Sequence, residues 1–260
     1  MRSILLSAVV LIVIAGIATS TALASSLAFD TASDPAYESY RQSNLIPLGV
    51  NGGHGWGSGW QGLQQPSDLG MRVASTAWLP FTDPFSSPGS AWSLDFASGI
   101  PSGAPGATRY FDGGLEPGQT FSFDCLYLDH TYLVDSSGNL VYEIDTGVAG
   151  NNNCRFNYLD QPAMQRLVNV PFTNEAIHFS ITPIDSNDAI LSITSYGPGG
   201  GTASVEMPYS TVGGVYFEAG WEHRAYMNNM SITPEPGAAM LYGAMGLLLR
   251  RSRKSRSFIV

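Results

Sequence analysis

Apolar and aromatic residues alternate with polar ones in many short stretches of this chain, and this period of two restricts its fold more than any other feature. In AWSLDFA, residues 91–97, the side chains of Trp92, Leu94 and Phe96 fall on one side. The stretches TFSFDCLY and CRFNY repeat the pattern. Because successive side chains of a strand point to opposite faces of a sheet, these stretches are predicted to be half-buried β-strands.

Turn-forming residues separate the alternating stretches at short intervals. TYLVDSSGNLVYEID predicts a hairpin with its turn at residues 135–139. Further strands are predicted at HFSITPI, AILSITSY, TASVEMP, GVYFEAG and AYMNNMSIT. Before residue 234 only QPAMQRLVNV, residues 161–170, is compatible with one or two helical turns. Many short strands at this spacing predict an all-β fold, a single β-sandwich or jelly roll.

The predicted sandwich occupies residues 25–233, a length that suits one hydrophobic core. This region contains six arginines, no lysine and 20 aspartate and glutamate residues, a net charge near −14. The negative electrostatic field of this region repels the phosphates of nucleic acids, and no cluster of basic residues offsets it. The charge therefore excludes nucleic acid as a partner.

The N-terminus has the three parts of a secretory signal peptide. Arg2 is followed by an apolar run over residues 4–17 and by Ala22-Leu23-Ala24, a small-x-small cleavage site. Residues 1–24 are therefore predicted to be removed by signal peptidase, which leaves Ser25 as the first mature residue. The alternative is an uncleaved anchor, because the apolar run can be extended to about 20 residues, the length of a spanning helix.

The C-terminus combines a proline-rich turn, an apolar run and a basic cluster. Residues 238–249 carry no charge, and as a helix they would span roughly 18 Å, less than the bilayer core of about 30 Å. The following basic side chains can reach back to the headgroups, which makes a short transmembrane helix tolerable. They also predict a cytoplasmic end. These membrane-stop residues are Arg250, Arg251, Arg253, Lys254 and Arg256.

The run Pro234-Glu235-Pro236-Gly237, the apolar segment and Arg250-Arg251 together resemble the PEP-CTERM sorting signal of exported proteins in Gram-negative bacteria that make exopolysaccharide. The resemblance implies that an exosortase-type enzyme recognises the motif at 234–237, removes the tail and passes the protein to the cell envelope or extracellular matrix. Exopolysaccharide is then an implied partner. An ordinary tail anchor with a proline-containing linker is the alternative.

The region between the two ends also resembles a recurrent type of PEP-CTERM protein. It begins with TASDPAY and a glycine-rich segment ending at Trp60, and it finishes on NNMSIT directly before the motif. This resemblance implies a concanavalin-A-like or related jelly roll of unassigned activity. Fold resemblance alone does not assign a function.

The chain has two cysteines, Cys125 and Cys154, both on the apolar sides of predicted strands. In an oxidising compartment they are predicted to form one disulfide, which closes a loop of about 30 residues and contributes roughly 3 kcal/mol. The alternative is a pair of buried free thiols on strands too far apart for the bridge.

A search for catalytic and metal-binding patterns gives no assignment. EIDTGV, residues 143–148, resembles the E-I-D-x-x-E signature of jelly-roll glucanases, but Val148 occupies the place of the second carboxylate that hydrolysis needs. No nucleophile elbow, H-E-x-x-H helix or P-loop occurs in the sequence. The four histidines lack ligand spacing, and acidic turns such as 185–188 lack the spacing of a known calcium loop. The sequence therefore predicts a non-enzymatic protein without cofactor or metal.

The glycine-rich segment NGGHGWGSGW, residues 51–60, is the strongest sequence candidate for ligand recognition. Trp56 and Trp60 are candidates for stacking on sugar rings, since glycines allow the backbone to approach a ligand closely. The competing interpretation is that both tryptophans plug one end of the core.

Two functions are consistent with these observations. The first is an exported, non-enzymatic protein of the cell surface or extracellular matrix, sorted through its C-terminal signal. The second is a secreted carbohydrate-binding, lectin-like module. A degraded glycosidase is a weaker third, because the carboxylate pair is incomplete.

The sorting interpretation predicts that Glu235→Ala combined with Pro236→Ala leaves membrane insertion intact but prevents loss of the tail in the native host. The prolines fix φ at about −65° and hold Glu235 in an extended segment, the form in which proteases bind substrates, whereas an anchor is indifferent to this linker. The mass of the cell-associated protein reports the outcome. If wild type and double mutant both retain Val260, the simple anchor is correct.

Overall fold

The computed structural model describes residues 27–41, 44–62, 70–75, 89–94, 106–126, 128–145, 153–159, 164–170, 176–196, 200–219 and 225–234. The predicted signal peptide, the motif residues Glu235, Pro236 and Gly237, and the basic cluster at 250–256 lie outside the described residues. No helix within the described ranges is long and apolar enough to cross a membrane.

The described residues form fourteen strands and one short 3-10 helix, Pro35–Tyr40. The strands are β1 (Ala28–Asp30), β2 (Met71–Ser75), β3 (Ser90–Leu94), β4 (Gly106–Tyr110), β5 (Gln119–Leu126), β6 (Leu128–Val134), β7 (Leu140–Asp145), β8 (Asn153–Tyr158), β9 (Gln165–Asn169), β10 (Ile177–Pro183), β11 (Asp188–Ser195), β12 (Thr202–Pro208), β13 (Gly214–Ala219) and β14 (Ala225–Pro234).

These strands make two sheets, whose recorded strand pairs are antiparallel. The larger sheet has the order β12-β11-β10-β5-β14-β3-β2, with β1 also paired to β14. The smaller sheet has the order β4-β13-β6-β7-β8-β9. Residues Leu27–Ile232 form one compact unit. The predicted all-β sandwich of the jelly-roll class is confirmed.

Aromatic side chains from both sheets meet in the core. Phe123 of the larger sheet and Phe217 of the smaller one pack edge to face, with ring centroids 5.0 Å apart. Phe156 of the smaller sheet packs on Phe179 of the larger at 6.0 Å. All four are at most 1% exposed. Each contributes about 1.5–3 kcal/mol by leaving water, so these contacts hold the two sheets together.

The predicted strands and the hairpin agree with the structure where their residues are described, but residues 164–170 of QPAMQRLVNV do not form helical turns. Its central residues are strand β9, which pairs with β8 in the register Cys154↔Val168. Val168 is buried while Leu167 is 66% exposed, so the alternation belongs to a strand with one covered face. Pairing with a neighbouring strand overrides weak local propensity here.

Two asparagines connect three strands at the middle of β14. This strand pairs with β3 through residues 225–227 and with β1 through residues 230–232. At the change of partner, Asn229 has a φ of 52°, a left-handed conformation that asparagine tolerates well. The buried Asn228 accepts hydrogen bonds from the Ala32 amide and the Thr31 hydroxyl, both at 3.0 Å, and donates to the Ser90 carbonyl at 2.8 Å.

The two ends of the sandwich lie side by side. The Leu27 amide donates a 2.7 Å hydrogen bond to the Ile232 carbonyl, and β14 ends at Pro234, the first residue of the predicted sorting motif.

The segment after β1 covers an edge of each sheet. Arg41 forms a bridge with Val73 of β2, and Gln61 forms one with Thr108 of β4. The Gln61 bridge has two backbone hydrogen bonds, of 3.0 and 2.7 Å. Covering edge strands in this way protects them from pairing with other chains.

The predicted disulfide is not formed, and both cysteines are free buried thiols. Cys125 lies on β5 of the larger sheet and Cys154 on β8 of the smaller one, each pointing into the core. Burial raises the pKa of Cys154 to about 12 and that of Cys125 well above its usual value. Because the thiolate is the reactive form of cysteine, both thiols are unreactive while they stay buried in this way.

Asn228→Ala is expected to lower the free energy of unfolding by roughly 2 kcal/mol or more, because it leaves the buried Ala32 amide and Ser90 carbonyl without their partner. Chemical denaturation measures the change. Asn187→Ala, an exposed asparagine in the turn before β11, is the matched control and is expected to change stability by less than about 0.5 kcal/mol. Equal effects of the two substitutions would show that Asn228 does not join the strands.

Candidate functional site

The two tryptophans of the glycine-rich segment are buried, and the side chain of Arg109 lies over both rings. Trp56 is 7% exposed and Trp60 is fully buried. The guanidinium carbon of Arg109 lies 5.2 Å from the Trp56 ring and 5.4 Å from the Trp60 ring, a double cation–π contact. The prediction that these rings stack on sugars is therefore wrong, and the alternative of a core plug is correct.

Arg109 forms a buried ion pair with Asp30. Its Nη2 lies 2.9 Å from Oδ2 of Asp30, and both side chains are fully buried. The same nitrogen donates to Oδ1 of Asn51 at 2.7 Å and to the Gly52 carbonyl at 2.8 Å. Burial raises the pKa of Asp30 to about 7, while the Arg109 charge and the Tyr37 hydroxyl oppose this rise.

The Tyr37 hydroxyl completes this network. It donates to Oδ2 of Asp30 at 2.8 Å and accepts from the Trp60 indole nitrogen and the Gly52 amide, both at 3.0 Å. The network thus joins β1, the 3-10 helix, the glycine-rich segment and β4. Most of its polar atoms are paired, while Oδ1 of Asp30, Nε of Arg109 and the Trp56 indole nitrogen have no hydrogen-bond partner among the described residues.

Two glycines of the segment are required by close packing. A Cβ added at Gly53 would lie 2.1 Å from the Phe29 carbonyl oxygen, and one added at Gly55 would lie 2.1 Å from the Leu27 carbonyl oxygen. Both glycines also have positive φ, of 68° and 76°. The glycines therefore let the segment pack closely against β1. This packing accounts for the repeated glycines of residues 51–60, which the sequence alone also associated with ligand binding.

The outer face of the smaller sheet carries a group of half-exposed tyrosines, which the sequence analysis did not identify. We call this surface the tyrosine face; its aromatic members are Tyr110 of β4, Tyr132 of β6 and Tyr216 of β13. Tyr216 lies opposite Tyr132 in the strand register, and their rings stack with centroids 5.7 Å apart and planes 20° apart.

Glycines beneath two of these tyrosines let the rings lie across the sheet. A Cβ added at Gly106 would lie within 2.5 Å of the Tyr216 ring and hydroxyl, and one added at Gly214 would lie 3.1 Å from Cδ1 of Tyr110. The rings therefore rest over strand positions without side chains. The sequence signal was present as glycine and tyrosine in GATRY and GVYFEA, but only the strand register shows which glycine lies beneath which ring.

Carboxylates flank the tyrosine rings. Glu143 lies opposite Tyr132, with its Oε1 3.1 Å from Nδ1 of His130 and its Oε2 accepting from Asn157 Nδ2 at 2.6 Å. Burial, with a further contribution from Glu143 and then Glu218, raises the pKa of Tyr132 to about 12. The phenols therefore stay protonated and act as hydrogen-bond donors at neutral pH, next to carboxylates that act as acceptors.

The E-I-D stretch contributes two carboxylates to this face, and both have partners. Glu143 is held by His130 and Asn157, and Asp145 forms an ion pair with Arg155. Residue 148, where the glucanase signature has its second carboxylate, lies outside the described residues.

An open cleft of about 620 Å³ lies beside Tyr110. Nine described residues line it, and none carries a charge. Four are glycines, and the others are Ser58, Gln61, Tyr110, Phe111 and Ser136. Hydroxyl, amide, aromatic and backbone groups are therefore the ones available to a ligand.

The remaining candidate residues have structural roles where they are described. The described ranges contain no cluster of three or more histidine, cysteine, aspartate or glutamate side chains that could hold a metal. His178 Nδ1 lies 2.8 Å from Oδ1 of Asp124, and Asp124 Oδ2 accepts from Asn229 at 2.9 Å. Asp185 accepts from the amides of its own turn. His223 lies outside the described residues.

No protein-family model and no curated protein matches this chain. Among solved structures, the binding domain of botulinum neurotoxin serotype D is 10% identical with a TM-score of 0.38, and the match covers 65% of this chain and 44% of that one. This chain therefore spans less than half of that structure's length.

Two smaller solved structures match over most of their own length. Bacillus licheniformis β-glucanase is 13% identical with a TM-score of 0.39, covering 75% of this chain and 99% of that chain. A legume lectin-like domain from Entamoeba histolytica is 10% identical with a TM-score of 0.37, and the match covers 66% of this chain and 94% of that chain. Likeness at this level carries no argument about what this chain binds or catalyses.

Arg109→Met is expected to lower the free energy of unfolding by about 3–5 kcal/mol, because it leaves the buried Asp30 carboxyl without its partner. Adding Asp30→Asn is expected to recover part of this loss, since without Arg109 the buried carboxyl must either stay charged without a partner or take up a proton, and asparagine is neutral already. Urea denaturation of the two single variants and the double variant gives the coupling energy. Additive effects would contradict a direct interaction within the pair.

Proposed function

We propose that this chain is an exported, non-enzymatic protein of the cell surface or extracellular matrix, and that its sandwich binds carbohydrate through the tyrosine face. The observation that carries the proposal is the set of half-exposed tyrosine rings resting over glycines on the outer side of the smaller sheet. A pyranose ring has an apolar C–H side, which packs on an aromatic ring, and hydroxyl groups at its rim.

The groups around the rings suit the hydroxyls of a sugar. The phenols of Tyr132 and Tyr216, each with a pKa raised to about 12, are donors, and the carboxylates of Glu143 and Glu218 are acceptors. Oε2 of Glu143 accepts a hydrogen bond from Asn157, so this carboxylate loses little conformational freedom when a ligand binds. Preorganised polar groups around an apolar platform give both affinity and orientation.

The proposed export and sorting rest on the two ends of the sequence. An N-terminal signal peptide and the C-terminal PEP-CTERM-like signal flank a region with a net charge near −14. The Leu27 amide donates to the Ile232 carbonyl, so the first and last strands of the described sandwich lie side by side. After removal of both terminal signals, the released protein would consist of the sandwich alone, and its exposed tyrosine face would be its contact with exopolysaccharide.

Tyr216→Ala in the full chain is expected to weaken carbohydrate binding about tenfold, equivalent to about 1.4 kcal/mol, because it removes a stacking surface and its hydroxyl donor. Binding to immobilised glycans identifies the ligand, and calorimetry with that ligand measures the affinity. Phe29→Ala is the matched control, since Phe29 is 36% exposed on β1 of the other sheet.

An unchanged affinity of the Tyr216 variant, with the wild type binding well, would place the site elsewhere on the sandwich. Absence of glycan binding by the wild type would contradict the carbohydrate part of the proposal and leave a protein with only a structural role in the matrix.

A further inference from the structure

The uncharged cleft beside Tyr110 extends the tyrosine face. Resting on the carbohydrate-binding function proposed above, we propose that this cleft is a second sugar-binding subsite and that the ligand of the sandwich is a neutral polysaccharide. Neither the tyrosine face nor the sequence motifs require a neutral ligand, because aromatic rings stack on charged and uncharged sugars alike.

Tyr110 physically connects the two surfaces. Its Cδ1 lies 3.1 Å from the position of a Cβ added at Gly214 of β13, and its hydroxyl lies 2.8 Å from that of a Cβ added at Gly138. The ring therefore runs from the sheet face to the turn between β6 and β7, where Ser136 also borders the cleft. A chain of sugar residues lying on the tyrosine face can thus continue past Tyr110 into the cleft.

The chemistry of the lining indicates an uncharged sugar residue. The side-chain amide of Gln61 donates to the Ser58 hydroxyl at 3.2 Å, and both groups keep further donor or acceptor positions for a ligand. The Tyr110 and Ser136 hydroxyls border the same space. No described lining residue offers the arginine or lysine with which proteins usually bind a carboxylate or sulfate group.

The charge of the neighbouring surface points to the same class of ligand. Glu143 and Glu218 lie on the tyrosine face, and the region from residue 25 to residue 233 has a net charge near −14. A polyanionic polysaccharide would be repelled at both long and short range, since like charges brought together at an interface are strongly unfavourable. A neutral polymer meets no such barrier.

The cleft itself is tested with Ser136→Trp, which fills the space, and Gln61→Ala, which removes the side-chain amide that borders the cleft. Ser136 and Gln61 are both exposed, so these changes leave the core intact. Ser137→Trp, in the same turn but not among the cleft residues, is the matched control. In calorimetry of the full chain with laminarin and mannan oligosaccharides of increasing length, the first two variants are expected to lose about tenfold in affinity for the longer oligomers. The control is expected to bind like the wild type.

The ligand class is tested by comparing neutral laminarin and mannan with polygalacturonate at low and high salt. Binding of the neutral polymers, independent of salt, is the expected result. Tight binding of polygalacturonate at low salt would overturn the neutral class while leaving the carbohydrate function in place.

The remaining outcomes separate the subsite from the function on which it rests. If Ser136→Trp and Gln61→Ala leave affinity unchanged while Tyr216→Ala abolishes it, the cleft is not a subsite and the tyrosine face alone binds sugar. If the wild type binds none of these polymers, the proposed function fails and the subsite fails with it.

Discussion

The buried ion pair between Asp30 and Arg109 is the constraint on which much of this structure depends. Moving two charges out of water is costly, and their mutual attraction compensates for it only when further hydrogen bonds and polarisable neighbours are present. Here the neighbours are two indole rings, a tyrosine hydroxyl and the backbone of residues 50–52. These groups come from segments distant in sequence, so the ion pair holds them in one arrangement.

The ion pair also explains how one side of the sandwich is closed. Satisfying Arg109 requires the glycine-rich segment to lie against β1 and β4, and the same path brings Gln61 to the edge of β4. Upstream of that segment, Arg41 reaches the edge of β2. An otherwise irregular segment of the chain thereby protects an edge strand in each sheet, which limits edge-to-edge association with other chains.

A single strand links this anchor to the proposed binding surface. In β4, Arg109 points into the core and Tyr110 points to the outer face, because neighbouring residues of a strand face opposite sides. The same alternation places Phe217 in the core and Tyr216 on the tyrosine face of β13. Fixing Arg109 therefore also fixes the backbone that carries Tyr110, and a rigid core supports an outer surface prepared for a ligand.

The sequence by itself determined the fold class, most strand positions and the hairpin, because alternation and turn chemistry are local properties that a few neighbouring residues encode. It also carried the predicted export and sorting signals, which are linear motifs. The tertiary structure decided everything that depends on partners far away in the chain. It buried Trp56 and Trp60 against Arg109, kept Cys125 and Cys154 as separate thiols on opposite sheets, and made residues 165–169 a strand by pairing them with β8. The tyrosine face could not be predicted from the sequence for the same reason: strand register brings Tyr132 beside Tyr216 and places glycines beneath Tyr110 and Tyr216, and register is set by pairing between distant strands.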